Sequence, residues 1–442
     1  MIRPVSARDS VKVDIRSTPF RLAHVKTADT KANAKTPPKK RPSDASPDGA
    51  ERQAQLAAKR NAKMARSVHA YVRGSTTKFY EWLNAADIQR MPQGPAIWIC
   101  GDCHTGNLGP VADAKGKIEI QIRDLDQTVI GNPAHDLIRL GLSLATAARG
   151  SDLPGVTTVR MMEALFEGYG HAFAKSGKEK ELGRKPDLVR VVMKEAVRRS
   201  WKHLAMERLE DIQPTIPLGK RFWRTSKREN AEIHALFEKD SISQLATSLR
   251  GRPNKGQVEV LDAAYWVKGC SSLGRLRYAV LLDVDGGVIE GDDLCLIDIK
   301  EGVSAAAPRY ANTGMPRDNA ERVVEGARHL SPSLGERMRS ARLMDKPVVI
   351  RELLPQDLKL EVDTLAQSEA MDVARYLAYV VGKAHARQMD AAAKTSWLTE
   401  LQRNRTKTLD APSWLWSSIV ELISSHEAAY LEHCRRYALA HG

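Results

Sequence analysis

The stretch Trp98–Gly109, WICGDCHTGNLG, followed by Ile120–Thr128, IQIRDLDQT, and Gly131–Leu140, GNPAHDLIRL, decides how the chain is read. Pro95–Cys100 is a short apolar run ending in Gly-Asp, as a buried strand does. Lys117–Arg123 alternates as a strand should, after a turn at Ala112–Gly116. From Pro133 to Arg149 the apolar spacing becomes helical, with Pro133 near the start and Gly150 at the stop. Asp102 and Asn107 are five apart just past the first strand, and Asp124 and Asp126 close the next. A loop of that length can hold a carboxylate near an incoming hydroxyl while turning an amide oxygen toward a divalent metal. Amide and carboxylate oxygens converging from neighbouring strand ends suit Mg2+, which keeps some water and also binds phosphates. Phosphoryl transfer asks little else at this end: a residue that orients the nucleophile, and metal that neutralises charge.

The pattern G-D-x-H-x-G-N, then I-x-D-x-D, then G-N-P-x-x-D-L resembles aminoglycoside phosphotransferases and other kinase-like enzymes. More closely, Met64–Gly74 (M-A-R-S-x-x-A-Y-x-R-G), this centre and Ala384–Arg387 (AHAR) resemble the bacterial family of unknown function DUF2252, from about residue 55 to residue 395. The resemblance implies Asp102 as catalytic base and Asn107 and Asp124 as metal ligands, with Asp126 beside them. It implies that Asp136 braces the loop from its helix and that His104 fixes the loop's shape. Cys100–His104 also matches the C-x-x-C-H haem-attachment motif, but haem leaves Asp102, Asn107, Asp124 and Asp136 unexplained. Zinc would need a second C-x-x-C pair, which the sequence lacks. Carboxylates that merely cap strands and turns would account for each residue singly but poorly for all four at these spacings.

A second constellation lies late in the chain: Tyr265–Leu282, YWVKGCSSLGRLRYAVLL, then Leu294–Gly302, LCLIDIKEG, then Asn319–Leu330, NAERVVEGARHL. Val258–Val267, Arg275–Val284 and Leu294–Ile299 read as strands, Asp318–Leu330 as helix and Pro347–Leu354 as a further strand. The turn Gly269, Ser271, Ser272, Gly274 can bring backbone N–H groups to phosphate oxygens, although Ser271 stands where a third glycine would allow closer approach. Lys300 can reach the phosphates as a point charge, and Glu325 on the next helix is expected to hold it by an ion pair. Backbone groups at Glu352–Leu354 are expected to meet the adenine edge. The nucleotide half therefore follows the catalytic half, the reverse of ordinary kinases. The expectation is an α+β, two-lobed kinase-like fold in circularly permuted order. Its parts are a basic arm (1–50), a helical lobe (51–255), a small β-rich nucleotide lobe (256–355) and closing helices (356–442).

The rest of the chain sets bounds. Ala50–Leu83 reads as helix, helical patterns run on to about Arg250, and Ser368–Asp390 and Pro412–Leu439 close the chain as helices. Ser368–Asp390 resembles the long helix that in kinases leads into the catalytic loop. A hydrophobic share of 42% and a charged share of 28% fit a soluble globular protein. No apolar run approaches a membrane span, the first residues lack a signal-peptide core, and five cysteines suit a reducing cytoplasm. The net charge of +14 favours anionic partners: nucleotide, an anionic acceptor or nucleic acid. Arg184–Arg228, with thirteen basic and five acidic residues around Trp201, Phe222 and Trp223, is either a docking face for an anion or a solvated helix face over core aromatics. The leading expectation is an ATP- and Mg2+-dependent phosphotransferase with an unidentified acceptor. A nucleotidyl transferase or a nucleotide-binding regulator uses the same residues, and a nucleic-acid-binding protein needs only the charge.

Overall fold

Side chains at Ser67, Ser226, Asp318 and Asp390 accept hydrogen bonds from backbone N–H groups two or three residues on, and each starts a helix. The computed structural model describes residues 49–86, 91–113, 115–174, 178–182, 185–198, 215–247, 257–269, 273–284, 294–310, 313–354, 358, 360, 365–403 and 411–437. The chain divides into Met1–Asp44 and Ala45–Gly442, and everything described belongs to the second unit. The expected basic arm therefore lies outside the described residues except for its last two, as do Trp201, Ser271 and Ser272.

The helices are α1 (Gly49–Met64), α2 (Val68–Gly74), α3 (Thr76–Ala85), α4 (Ala134–Gly150), α5 (Gly155–His171), α6 (Asp187–Arg198), α7 (Lys227–Phe237), α8 (Asp240–Thr247), α9 (Asn319–Leu330), α10 (Pro332–Gly335), α11 (Ala370–Ala386), α12 (Ala391–Leu401) and α13 (Ser413–Tyr437). The strands are β1 (Ile97–Ile99), β2 (Leu108–Ala112), β3 (Ile118–Ile122), β4 (Val129–Gly131), β5 (Phe222–Arg224), β6 (Val258–Trp266), β7 (Arg277–Val284), β8 (Leu294–Glu301), β9 (Met338–Leu343) and β10 (Lys346–Leu353). The fold is α+β: helices together with a small antiparallel sheet. The one helix expected over Ala50–Leu83 is three, because Ser67 is extended (φ −165°) and Ser75 leaves the helical region (φ −114°, ψ 49°).

The six-stranded sheet runs β5-β6-β7-β8-β10-β9, antiparallel throughout. It takes an edge strand from Phe222–Arg224, ahead of residue 256, so Phe222 and Trp223 are strand residues stacked on Trp266 and Tyr265 rather than part of a helix face. Alternation sends Tyr278, Val280, Ile297, Ile299, Val348 and Ile350 to one face, against Ile233, Leu236 and Phe237 of α7 and Ile242 and Leu245 of α8. The opposite face carries Ala279, Leu281, Leu294, Leu296 and Leu353 and, in register, Arg277 opposite Lys300 and Asp298 opposite Arg351.

Elsewhere β1 pairs with β4 and β2 with β3 as short antiparallel ribbons; β1 and β3 pack on α11, and α4 is buried along nearly its whole length. Helices α5 and α11 approach closely at Gly382, where a Cβ would come 2.7 Å from the Tyr169 carbonyl oxygen. Among the described residues no helix is long and apolar enough to cross a membrane.

This helical core makes the fold acid-sensitive. His426 of α13 is fully buried, and burial followed by the charge of Arg139 pushes its pKa down to about 4. The folded protein thus refuses a proton that the unfolded chain accepts below about 6.5. Stability is expected to be constant above that pH and to fall by up to about 3 kcal/mol from this residue as pH drops toward 4. Urea unfolding of wild type and His426→Asn at pH 7 and pH 4.5 checks this; an equal pH slope in the two would contradict it.

Candidate functional site

Asp136, Arg139 and Ser143 share one face of α4, spaced as residues on one helical stripe must be, and all three grip the Cys100–Asn107 loop. The Cys100 and Gly101 N–H groups donate to the two Asp136 carboxylate oxygens at 2.7 and 2.9 Å, and the Thr105 N–H donates to Ser143 Oγ at 3.2 Å. His385 of α11 donates from Nε2 to Asp136 Oδ2 at 3.1 Å, while its Nδ1 accepts from the Tyr169 hydroxyl at 2.8 Å. The Asp136 carboxylate can only accept, which assigns the imidazole proton to Nε2 and leaves Nδ1 to accept from Tyr169, whose hydroxyl oxygen also accepts from the Trp397 indole N–H at 3.2 Å. Asp136 and His385 are fully buried, so this chain of donors is a fixed brace. Gly101, at φ +75°, admits no Cβ because Gln127 O fills the space.

Asp102 sits at the centre of the loop. Its Oδ1 accepts from Arg139 Nε at 2.8 Å and its Oδ2 from the Thr76 hydroxyl at 2.8 Å. Burial pushes its pKa up against the opposing charge of Arg139. His104 lies with Nε2 3.9 Å from Asp102 Oδ2, beyond hydrogen-bond length, and burial followed by Arg73 and Arg139 keeps it neutral, well below the usual imidazole value. Asn107 donates from Nδ2 to the Asp102 carbonyl at 2.9 Å, which turns its Oδ1 the other way. Cys100, Cys103 and Asp136 bring ligand-type atoms within 4.8 Å of one another. The Asp136 oxygens already serve the brace, and the hydrogen bond to Cys103 together with burial pushes the Cys100 thiol well up. Cys100 Sγ also lies 3.7 Å from the Asp124 carbonyl oxygen, tying the loop to the next strand end.

Asp124 and Asp126 meet the sheet. Lys300 Nζ lies 3.5 Å from Asp124 Oδ1 and in contact with Asp126 Oδ2, although 176 residues separate Lys300 from Asp124. Arg277 Nε donates to Asp298 Oδ1 at 2.9 Å, and Arg351 reaches the same carboxylate at 3.5 Å. Packing around Asp124 raises its pKa, but Lys300, Arg277 and Arg351 outweigh this and hold it below the ordinary carboxylate value. Its side chain is still 49% exposed, so the carboxylate stays open to solvent. Burial and then the charge of Asp124 push Asp126 the other way, upward. Three cations and three carboxylates thus form one network at the end of β8, beside the loop that carries Asp102 and Asn107.

A family model described as an uncharacterized protein conserved in bacteria (DUF2252) matches residues 52–436. The chain belongs to the DUF2252 family. The matched region takes in α1 through α13, so both constellations lie inside it. No curated protein and no solved structure matches the chain.

The remaining expected residues of this DUF2252 protein fall differently. Glu325 does not meet Lys300: it pairs with Arg328 at 3.0 Å and faces His329 at 3.6 Å on its own helix. That corrects the expected Lys300–Glu325 pair. The reason is the seating of α9, where Arg322 donates to the carbonyls of Asp126, Thr128 and Val303 and Gly326 packs on Thr128, leaving Glu325 to a groove with Ser241 and Arg339. Glu352 is also corrected: its carbonyl accepts from Arg337 Nη1 at 3.0 Å and its N–H meets the Arg337 carbonyl, so its backbone is spent inside the fold. Leu354 follows directly on β10. Gly269 and Gly274 bound the β6–β7 turn at φ +101° and +97°, conformations that favour glycine. Helix α1 pins both ends, with Lys63 Nζ donating to Gly269 O at 2.9 Å and Gln53 Nε2 to Gly274 O at 2.7 Å.

Sequence reasoning missed Arg139, Thr76, Arg277, Arg351 and Lys63. For Arg139 a signal existed, since it stands one helical turn past Asp136. Arg277 and Arg351 could have been found only by assuming a strand register opposite Lys300 and Asp298.

Proposed function

We propose that this chain is an ATP- and Mg2+-dependent phosphotransferase, two-lobed and kinase-like in circularly permuted order, acting on a hydroxyl acceptor. The observation that carries the reading is the meeting of Lys300, from the late sheet, with Asp124 and Asp126 beside the early loop that holds Asp102 and Asn107. The order supports it too: strand, glycine-bounded turn, strand, lysine-bearing strand and helix follow the carboxylates rather than precede them. The departure at Glu325 leaves Lys300 positioned by carboxylates instead of by a helix glutamate.

In this reading Asn107 and Asp124 would hold Mg2+ through their side-chain oxygens, with Asp126 beside them, and the bound metal would supply neutralisation of phosphate charge. Lys300 and Arg277 meet the phosphate oxygens, and the Gly269–Gly274 turn covers them. Asp102 takes the acceptor hydroxyl proton as the acceptor oxygen bonds to the γ-phosphorus and the β–γ bridging bond breaks, releasing ADP. Arg139 keeps Asp102 oriented throughout.

Incubating the purified protein with Mg2+ and either α- or γ-labelled ATP, with bacterial small-molecule extract as acceptor source, tests this. Transfer of the γ-label is expected. Transfer of the α-label would make the protein a nucleotidyl transferase, and nucleotide recovered intact would make it a binding regulator.

A further inference from the structure

Two of the Arg139 guanidinium nitrogens are spent on the loop and its neighbour. Nε donates to Asp102 Oδ1 at 2.8 Å, while Nη2 meets the same oxygen at 2.8 Å and the Val72 carbonyl at 2.6 Å. The Phe79 ring of α3 lies with its centroid 5.7 Å from Cζ. A guanidinium is planar, so Nη1 points away from the edge that holds Asp102. Nη1 is a buried atom with no hydrogen-bond partner, on a residue 0% exposed.

A second such atom is Nε2 of His426 on α13, also 0% exposed. His426 Nδ1 lies 2.9 Å from the Leu422 carbonyl oxygen, which can only accept, so the proton sits on Nδ1 and Nε2 carries a lone pair. Helix α13 packs along α4: Ile419 fills the space beside Gly141, and Glu427 pairs with Arg149 at 3.0 Å. Burial, then Arg139 and more weakly Lys78 of α3, keep the ring neutral against the Leu422 hydrogen bond. An unmet donor on α4 and an unmet acceptor on α13 thus lie within electrostatic reach of each other, yet beyond direct hydrogen-bond length. Burying both without a partner is costly, and a single water between them satisfies both.

We infer that an internal water joins Arg139 Nη1 to His426 Nε2, which makes His426 a positioning residue that fixes the guanidinium holding Asp102. The inference rests on Asp102 being the base of the proposed transferase. It brings α13, otherwise a closing helix, into the support of the site.

Crystal structures of the wild-type chain and of His426→Phe test it, followed by single-turnover transfer from γ-labelled ATP to the bacterial small-molecule extract. The wild type is expected to hold one ordered water within about 3.2 Å of both nitrogens. In His426→Phe that water is lost and the Arg139–Asp102 contact loosens. Transfer at saturating ATP is expected to slow about tenfold, with ATP affinity within about twofold of wild type. His426→Gln, whose amide oxygen can stand near the place of Nε2, is expected to restore the water and most of the rate. Where His426→Phe fails to fold, His426→Leu takes its place, and the wild-type structure alone decides the water. No water between the two nitrogens, or Arg139 unmoved in the Phe variant, overturns the inference. So does an unchanged saturated rate in a folded but less stable variant, the mark of a purely structural role. Absence of transfer by the wild type strikes the proposed function instead, since the water and the response of Arg139 are read without nucleotide.

Discussion

Asp124→Ala is expected to lower the affinity for Mg2+-bound ATP by about a hundredfold or more, whereas Asp102→Asn leaves it within about twofold and slows transfer about 10²- to 10⁴-fold. The two carboxylates differ in what surrounds them. Asp124 is half-exposed at the junction with the sheet, with Lys300, Arg277 and Arg351 holding it ionised, so it can offer an oxygen to a metal. Removing it leaves Lys300 locked to Asp126 alone. Because Asp124 is so exposed, its loss is expected to cost less than about 1 kcal/mol of stability. Asp102 is the opposite case. Truncation to alanine would strand the buried Arg139 guanidinium, and unfolding would mask any catalytic effect. Asparagine keeps an oxygen for Arg139 while removing the base. Calorimetry of binding, followed by single-turnover assays, separates the two roles. Equal binding of Mg2+-bound ATP by wild type and Asp124→Ala would sink the metal assignment.

Residues whose placement depends on spacing along one element were legible; those whose placement depends on pairing between elements were not. Asp102, Asn107, Asp124 and Asp136 stand close in sequence and announce themselves through strand ends and a helix start. Of the strands, Met338–Leu343 (MRSARL) escaped because its arginines and serine hide the alternation, and its place at the sheet edge lets them face solvent. Leu108–Ala112 escaped because Gly109 and Pro110 interrupt it. Glu325 was misread for a different reason. Its distance from Lys300 suited a partner, but only the packing of Gly326 against Thr128 and the three carbonyls met by Arg322 fix which side of α9 faces the site. No local pattern encodes that rotation. Glu352 likewise follows an apolar strand as a hinge residue might, yet Arg337, fifteen residues away, claims its carbonyl.

The largest loss of stability is expected at Asp136, which contacts no proposed substrate. Asp136→Ala leaves the Cys100 and Gly101 N–H groups and the His385 Nε2–H without acceptors in a fully buried site. At roughly 1–3 kcal/mol for each of the three stranded donors, the total reaches about 3–9 kcal/mol, a large share of the 5–15 kcal/mol that holds a typical domain. Asp136→Asn keeps one carbonyl oxygen but presents an NH₂ to a second donor, so about half that loss is expected. His385→Phe removes one donor and leaves the Tyr169 hydroxyl, still met by Trp397, short of an acceptor. Urea unfolding of the Asn and Phe variants, singly and together, measures the coupling. Partners in direct contact should depart from additivity by about 0.5–3 kcal/mol. Simple additivity would mean that His385 and Asp136 stabilise separate parts of the fold. The same variants discriminate bracing from chemistry. If Asp136 acts through the loop, Asp136→Asn and His385→Phe that remain folded should both weaken transfer, by displacing Asp102 and Asn107 together.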